Sequence, residues 1–237
     1  MFGKWCKPNY NSVVATFCHN IANDLSITIN GPSRELTLVY IDDVIKSFVG
    51  LLCEGRSKGL LRKSVTPEYH ITLADLASQI KKFGNCRNDL LLERVGKDFT
   101  RALYATYVSY LPKDKFQYQI PSHRDPRGVF VEMLKTKDSG QFSYFTAHPG
   151  ITRGGHYHHT KTEKFLVIKG TARFGFRHII TDEVFEIDIS AGTPKIVETI
   201  PGWSHDITNV GDEEMIVMLW ANEIFDKDNP DTVSSIV

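Results

Sequence analysis

The stretch "GITRGGHYHHTKTEKFLVIKG", Gly150 to Gly170, sets three of the chain's nine histidines within four residues, then a glutamate and an apolar run of strand character. On an extended strand residues two apart share a face, so His156 and His158 point the same way and His159 points away. Glu163 follows a short turn, from where the next strand can return its carboxylate to the same pocket. Further on, "PGWSHDITN" (201–209) supplies His205 on another strand or its leading turn. Three imidazoles and a carboxylate are a donor set suited to a divalent transition metal. The other histidines, His19, His70, His123, His148 and His178, are isolated and read as ordinary polar or core residues.

The sequence around this cluster is β-rich. From about residue 120 onward, period-2 alternation and turn residues dominate in "GVFVEMLK", "GQFSYFTA", "EKFLVIKG", "TARFGFRHI", "EVFEIDIS", "PKIVETI" and "EMIVMLWAN". In "VFEIDI" the apolar Phe185, Ile187 and Ile189 alternate with Glu186 and Asp188, which buries one face and wets the other. Seven such strands predict an antiparallel β-barrel or double-sheet jelly roll over 124–237.

The first half has a different texture. Helical spacing places Val13, Val14, Phe17, Cys18 and Ile21 on one face, and Val44, Ile45, Phe48, Val49 and Leu52 on another behind Asp42 and Asp43. "TLADLASQIKKFG" predicts a helix capped by Thr72 and stopped at Gly84, and "DFTRALYATYVSYL" one running to Pro112. "SITIN" (26–30) and "LTLVYI" (36–41) read as short strands. The fold class is therefore α+β, with a mixed domain over 1–115, a linker rich in proline and charge, and the all-β domain.

Composition narrows the function. Lys plus Arg and Asp plus Glu balance at 28 each, which gives no electrostatic reason to expect nucleic acid or an anionic membrane surface as partner. No apolar run approaches the ~18–20 residues that span a bilayer. Cys6, Cys18, Cys53 and Cys86 form no CxxC pair, which suits reduced thiols and a cytoplasmic location.

The string G-x5-H-x-H-x4-E-x6-G from Gly150 to Gly170, with P-G-x2-H-x3-N from Pro201 to Asn209, resembles the paired motifs of the cupin superfamily. Pro201 and Gly202 are adjacent where the usual pattern has one residue between them. The metal ligands this resemblance implies are His156, His158, Glu163 and His205, holding zinc or another divalent ion. Within that superfamily, "DPRGVF" and "RGGHY" resemble the nucleotide-sugar 3,5-epimerases, generally metal-free enzymes whose base matches His156. Base and ligand are thus rival roles for that residue. Other candidates near the motifs are Tyr157, His159 and Tyr144 as base or acid, and Lys164, Arg153 and Arg127 for the diphosphate or the enolate.

"FGKWCKPNYNSVVATFCHNIA" and "RELTLVYIDDVIKSF" resemble the substrate-binding half of extended short-chain dehydrogenase/reductases acting on nucleotide sugars, in which Lys7, Asn9 and Arg34 would face the nucleotide or its diphosphate. That half followed by a cupin is similar to the bifunctional epimerase/reductases of capsule-precursor synthesis, the CapF or WbjC type. The resemblance implies C3-epimerisation of a UDP-linked 4-keto-2-acetamido-2,6-dideoxyhexose, in capsule or O-antigen synthesis, and a homodimer formed through the cupin domain. Reduction at C4 by NADPH would need a G-x-G-x-x-G fold and a Tyr-x3-Lys pair, carried upstream in full-length members. Neither Gly-rich stretch here, 49–55 or 128–140, fits that fingerprint, so this chain alone is expected to lack the reductase step. The alternatives are a metal-dependent cupin oxygenase and a non-catalytic metal-binding module for assembly or sugar binding.

Overall fold

The computed structural model describes residues 1–53 and 63–237, in two compact units, Met1–Tyr118 and Gln119–Val237. Positions 54 and 55, the end of the Gly-rich stretch 49–55, lie outside the described residues.

In the first unit, helix α1 (Val13–Ala22) begins at Ser12, whose hydroxyl accepts from Ala15 N–H. A two-stranded antiparallel sheet pairs β1 (Glu35–Leu38) with β2 (Tyr69–Thr72), and α2 (Ile41–Cys53) lies between them in sequence. Helix α3 (Leu73–Asp89), capped by Thr72, is followed by β3 (Leu91–Leu92) and α4 (Asp98–Val108), with a single 3-10 turn at Lys113–Lys115. Phe17, Cys18, Leu76, Ile80, Phe83 and Leu103 form the core between α1, α3 and α4.

Two sequence expectations are corrected here. Helix α3 does not stop at Gly84 but continues to Asp89. A Cβ on Gly84 would sit 3.2 Å from Ile21 Cγ2, so the glycine permits close helix packing instead of ending the helix. The stretch 26–30 is not a strand: Ile27 and Ile29 pack against the core without a ladder partner among the described residues. Helix α2 forms as expected and buries none of its residues, with Phe48 60% and Leu52 82% exposed.

The second unit is a sandwich of two antiparallel sheets. One runs β10 (Val184–Ser190), β9 (Thr171–His178), β12 (Trp203–Asn209), β7 (Thr152–Tyr157), β14 (Val233–Ser234). In the other, β11 (Ile196–Glu198), β8 (Glu163–Lys169), β13 (Met215–Ala221), β6 (Gln141–Ala147) and β5 (Gly128–Thr136) are successive neighbours, with β4 (His123–Asp125) beside β5. Phe145, Phe165 and Val217 from this sheet meet Phe174, Phe176 and Ile207 from the other. Strict alternation directs the chemistry. On β8, Glu163, Phe165 and Val167 face inward while Lys164, Leu166 and Ile168 face outward.

Candidate functional site

The cluster assembles at the β7–β12 pairing. His156 and His205 are direct cross-strand partners, but the next pair is Asp206 with Gly154, so Gly155 is the extra residue of a bulge. Gly154 and Gly155 have φ of +95° and +79°, where a side chain would be strained. A Cβ on Gly154 would also lie 2.8 Å from the His205 carbonyl oxygen. The two glycines therefore allow the close strand approach that sets His156 beside His205, with ring centroids 4.8 Å apart.

Strand β7 ends at Tyr157, and His158, the next residue, joins His156 in the cluster, with ring centroids 4.9 Å apart. It is fully buried. Its Nδ1 donates to the Asp231 carbonyl oxygen at 2.5 Å, and Nε2 faces Glu163 Oε2 at 3.3 Å. The other Glu163 oxygen, Oε1, accepts from Lys161 Nζ at 2.9 Å. His205 Nε2 stands 3.4 Å from Glu163 Oε2, buried and with no hydrogen-bond partner among the described residues. One ligand atom from each of His156, His158, Glu163 and His205 lies within 4.8 Å of all the others.

This arrangement fits a divalent ion. With Nδ1 of His158 acting as donor, Nε2 of the neutral ring carries a lone pair aimed at a carboxylate oxygen that is also an acceptor. The orphaned His205 nitrogen points the same way, and a cation among them satisfies all three. Electrostatics agree. Burial, then the neighbouring His205 and His158 rings, pushes His156 down to about 4, so it is a neutral imidazole at physiological pH. Burial would raise Glu163, but its contacts with His158, His205 and Lys161 outweigh that and hold it ionised, well below the usual carboxylate range.

A cavity of about 460 Å³ opens onto the cluster, lined by His156, Glu163 and His205 together with Phe130, Phe145, Phe165 and Phe225. Arg127 and Arg153 also line it. Arg127 is held by Asp125, which that pairing lowers to about 2. Arg153 Nε donates to the Thr146 carbonyl, its guanidinium lies 5.3 Å from the centre of the Phe145 ring, and its Nη2 is buried without a partner among the described residues.

Of the candidates named from sequence in this unit, Tyr144, Lys164, Tyr157 and His159 stand outside this lining, as does the buried ligand candidate His158. Tyr144 sits on the face of β6 opposite Gln141, Ser143 and Phe145, which do line the cavity. Lys164 faces outward and pairs with Glu198. The Tyr157 and His159 rings pack on each other, 5.3 Å apart. In the first unit Lys7, Asn9 and Arg34 are exposed, and Lys7 lies 5.6 Å over the Tyr10 ring. Sequence reasoning missed Lys161, Asp206, Glu132, Glu223 and Phe225, all of them cavity residues. Asp206 adjoins His205 and carried a local signal, whereas Phe225 arrives from the chain end with none.

Two facing antiparallel sheets with three imidazoles and a carboxylate converging between them define the class: the second unit is a cupin. Residues 123–233 match the family described as polysaccharide biosynthesis C-terminal domain. The chain is 60% identical over all 237 residues to UDP-2-acetamido-2,6-beta-L-arabino-hexul-4-ose reductase of Pseudomonas aeruginosa, and spans 63% of that protein's length. Two crystal structures of the capsular polysaccharide assembling protein CapF from Staphylococcus aureus match at 41% identity, with TM-scores of 0.92 and 0.93. Those matches cover 100% of this chain and 64% and 69% of theirs. The chain belongs to the CapF family.

Proposed function

We propose that the second unit is a nucleotide-sugar C3-epimerase of capsule or O-antigen precursor synthesis. Its substrate would be a UDP-linked 4-keto-2-acetamido-2,6-dideoxyhexose, with zinc in preference to iron held by His156, His158, Glu163 and His205. The observation that carries this reading is one cavity whose walls include three residues of the cluster and two arginines. The hexul-4-ose in the name of the Pseudomonas relative is a C4 ketone, and a ketone acidifies the proton on C3. A solved CapF complex contains the inhibitor 3-isopropenyl-tropolone, and the adjacent oxygens of a tropolone chelate divalent ions.

Inversion at C3 removes that proton, leaves an enolate with its charge on the C4 oxygen, and returns a proton to the opposite face. A divalent ion in the cluster supplies Lewis-acid stabilisation of such charge. The chain's own contribution is orientation and dryness. The aromatic walls exclude water, while Arg127 and the partnerless Nη2 of Arg153 hold the diphosphate, since a buried guanidinium N–H left unpaired is costly. His156 stands where it can serve as ligand or base. Lys7, Asn9 and Arg34 of the first unit would contact the nucleotide during the NADPH-dependent C4 reduction carried out by longer family members.

Incubating the metal-replete protein with the keto sugar nucleotide in D2O is expected to place deuterium at C3 without consuming cofactor, read by NMR. His156→Ala should abolish exchange in either of its roles. No exchange at C3 or C5 would reject the epimerase and favour the non-catalytic module. Exchange retained in a folded, metal-stripped protein would assign the ion a purely structural role.

A further inference from the structure

Resting on that metal-site reading, we propose that Asp231, in the C-terminal segment, is a positioning residue that sets two of the four ligands. Its two functional groups act separately. The main-chain carbonyl accepts from His158 Nδ1, which turns Nε2 toward the cluster and fixes the ring's tautomer. The side-chain carboxylate caps the turn between His158 and Glu163: Oδ1 accepts from His159 N–H at 2.8 Å, and Oδ2 from the N–H groups of Thr160 at 2.7 Å and Lys161 at 2.8 Å. Thr160 Oγ1 donates to the same oxygen at 2.9 Å. Three successive amides and a hydroxyl hold the carboxylate well below its usual range, His159 N–H foremost.

The consequence reaches Glu163. Lys161 is 8% exposed, and its ammonium occupies Glu163 Oε1, leaving Oε2 as the oxygen that faces His158 and His205. The Asp231 carboxylate fixes the Lys161 backbone, and Lys161 in turn holds Glu163 for single-oxygen coordination. The next residues lock the segment in place. Val233 and Ser234 pair with Tyr157 and His156, Ser235 N–H donates to the Gly155 carbonyl, and Ser204 Oγ donates to the Ser235 carbonyl. A residue from the far end of the chain thereby closes the outer shell of a centre whose ligands all precede it.

Zn(II) affinity, measured on the full chain by competition with a chromophoric chelator, tests this alongside the visible spectrum of the Co(II)-substituted protein. Asp231→Ala is expected to weaken Zn(II) binding about 10- to 100-fold and to alter the Co(II) bands, with Asp231→Asn falling between it and wild type. A mere loop staple would lower the unfolding midpoint of the apoprotein and leave both metal readouts alone. Affinity within about threefold of wild type, a range set against the usual outer-shell loss, with an unchanged Co(II) spectrum would overturn the role of Asp231 and leave the metal site standing. Failure of wild type to bind Zn(II) would overturn both. If Asp231→Ala does not fold, Asp231→Asn decides by the same readouts. In the wild-type protein the amides of Thr160 and Lys161 should be protected from hydrogen exchange, and exchange at the unprotected rate would also reject the capping contact.

Discussion

At Gly154 two constraints coincide: a positive φ, and strand β12 so near that any Cβ would crowd the His205 backbone. Gly154→Ala is expected to cost about 1–3 kcal/mol of unfolding free energy, the usual range for a residue forced into such a conformation. It should also loosen metal binding, because the displaced backbone carries His205. Urea denaturation of the apoprotein checks the first effect, and an unchanged midpoint would mean that β7 relaxes freely there. The four clustered residues were legible from their spacing because chain connectivity alone brings His156, His158 and Glu163 within one turn of each other. His205 was legible because its own string is distinctive. Lys161 and Asp231 were not, since a lysine and an aspartate acquire meaning only from what they touch.

Among the elements, α2 carries the expected helical periodicity with its apolar stripe turned outward. On that stripe, Ile45, Phe48, Val49 and Leu52 are all more than half exposed. Replacing Phe48 and Leu52 together by Glu should leave the unfolding free energy within about 0.5 kcal/mol of wild type, as expected for surface positions. The same change should reduce self-association at high concentration, because contiguous exposed apolar side chains are sticky. A loss of about 2 kcal/mol or more would show that the stripe is packed in solution, since that range belongs to buried apolar positions. Gly84, a residue type that often ends helices, lies inside one, where α1 passes so close that a Cβ would meet Ile21 Cγ2 at 3.2 Å.

For the molecule as a whole, the two sheets leave β10 and β11 as edges, and beside them Phe185, Ile187, Ile196, Ile200 and Trp203 line a second, apolar opening. Ile196 and Ile200 are 57% and 53% exposed. Unpaired edges flanked by apolar side chains call for cover, and a second copy of the chain would provide it. Light scattering at micromolar concentration is expected to give twice the chain mass, and Ile196→Arg with Ile200→Arg should shift it toward the monomer. A monomeric wild type would count against this surface.

The sequence by itself determined the α+β class, the all-β character of the second half and the identity of the four clustered side chains. Each of these follows from local periodicity or from short spacings that survive any arrangement of the rest. Only the tertiary structure decided which face of each strand looks into the cavity. Strand β6 carries aromatic residues on both sides, Phe145 inward and Phe142 and Tyr144 outward, so alternation separates the two sets without saying which is inside. That choice depends on how the two sheets close over each other. The same closure delivers Asp231 and Phe225 from the chain end to the site, through contacts that no local pattern encodes.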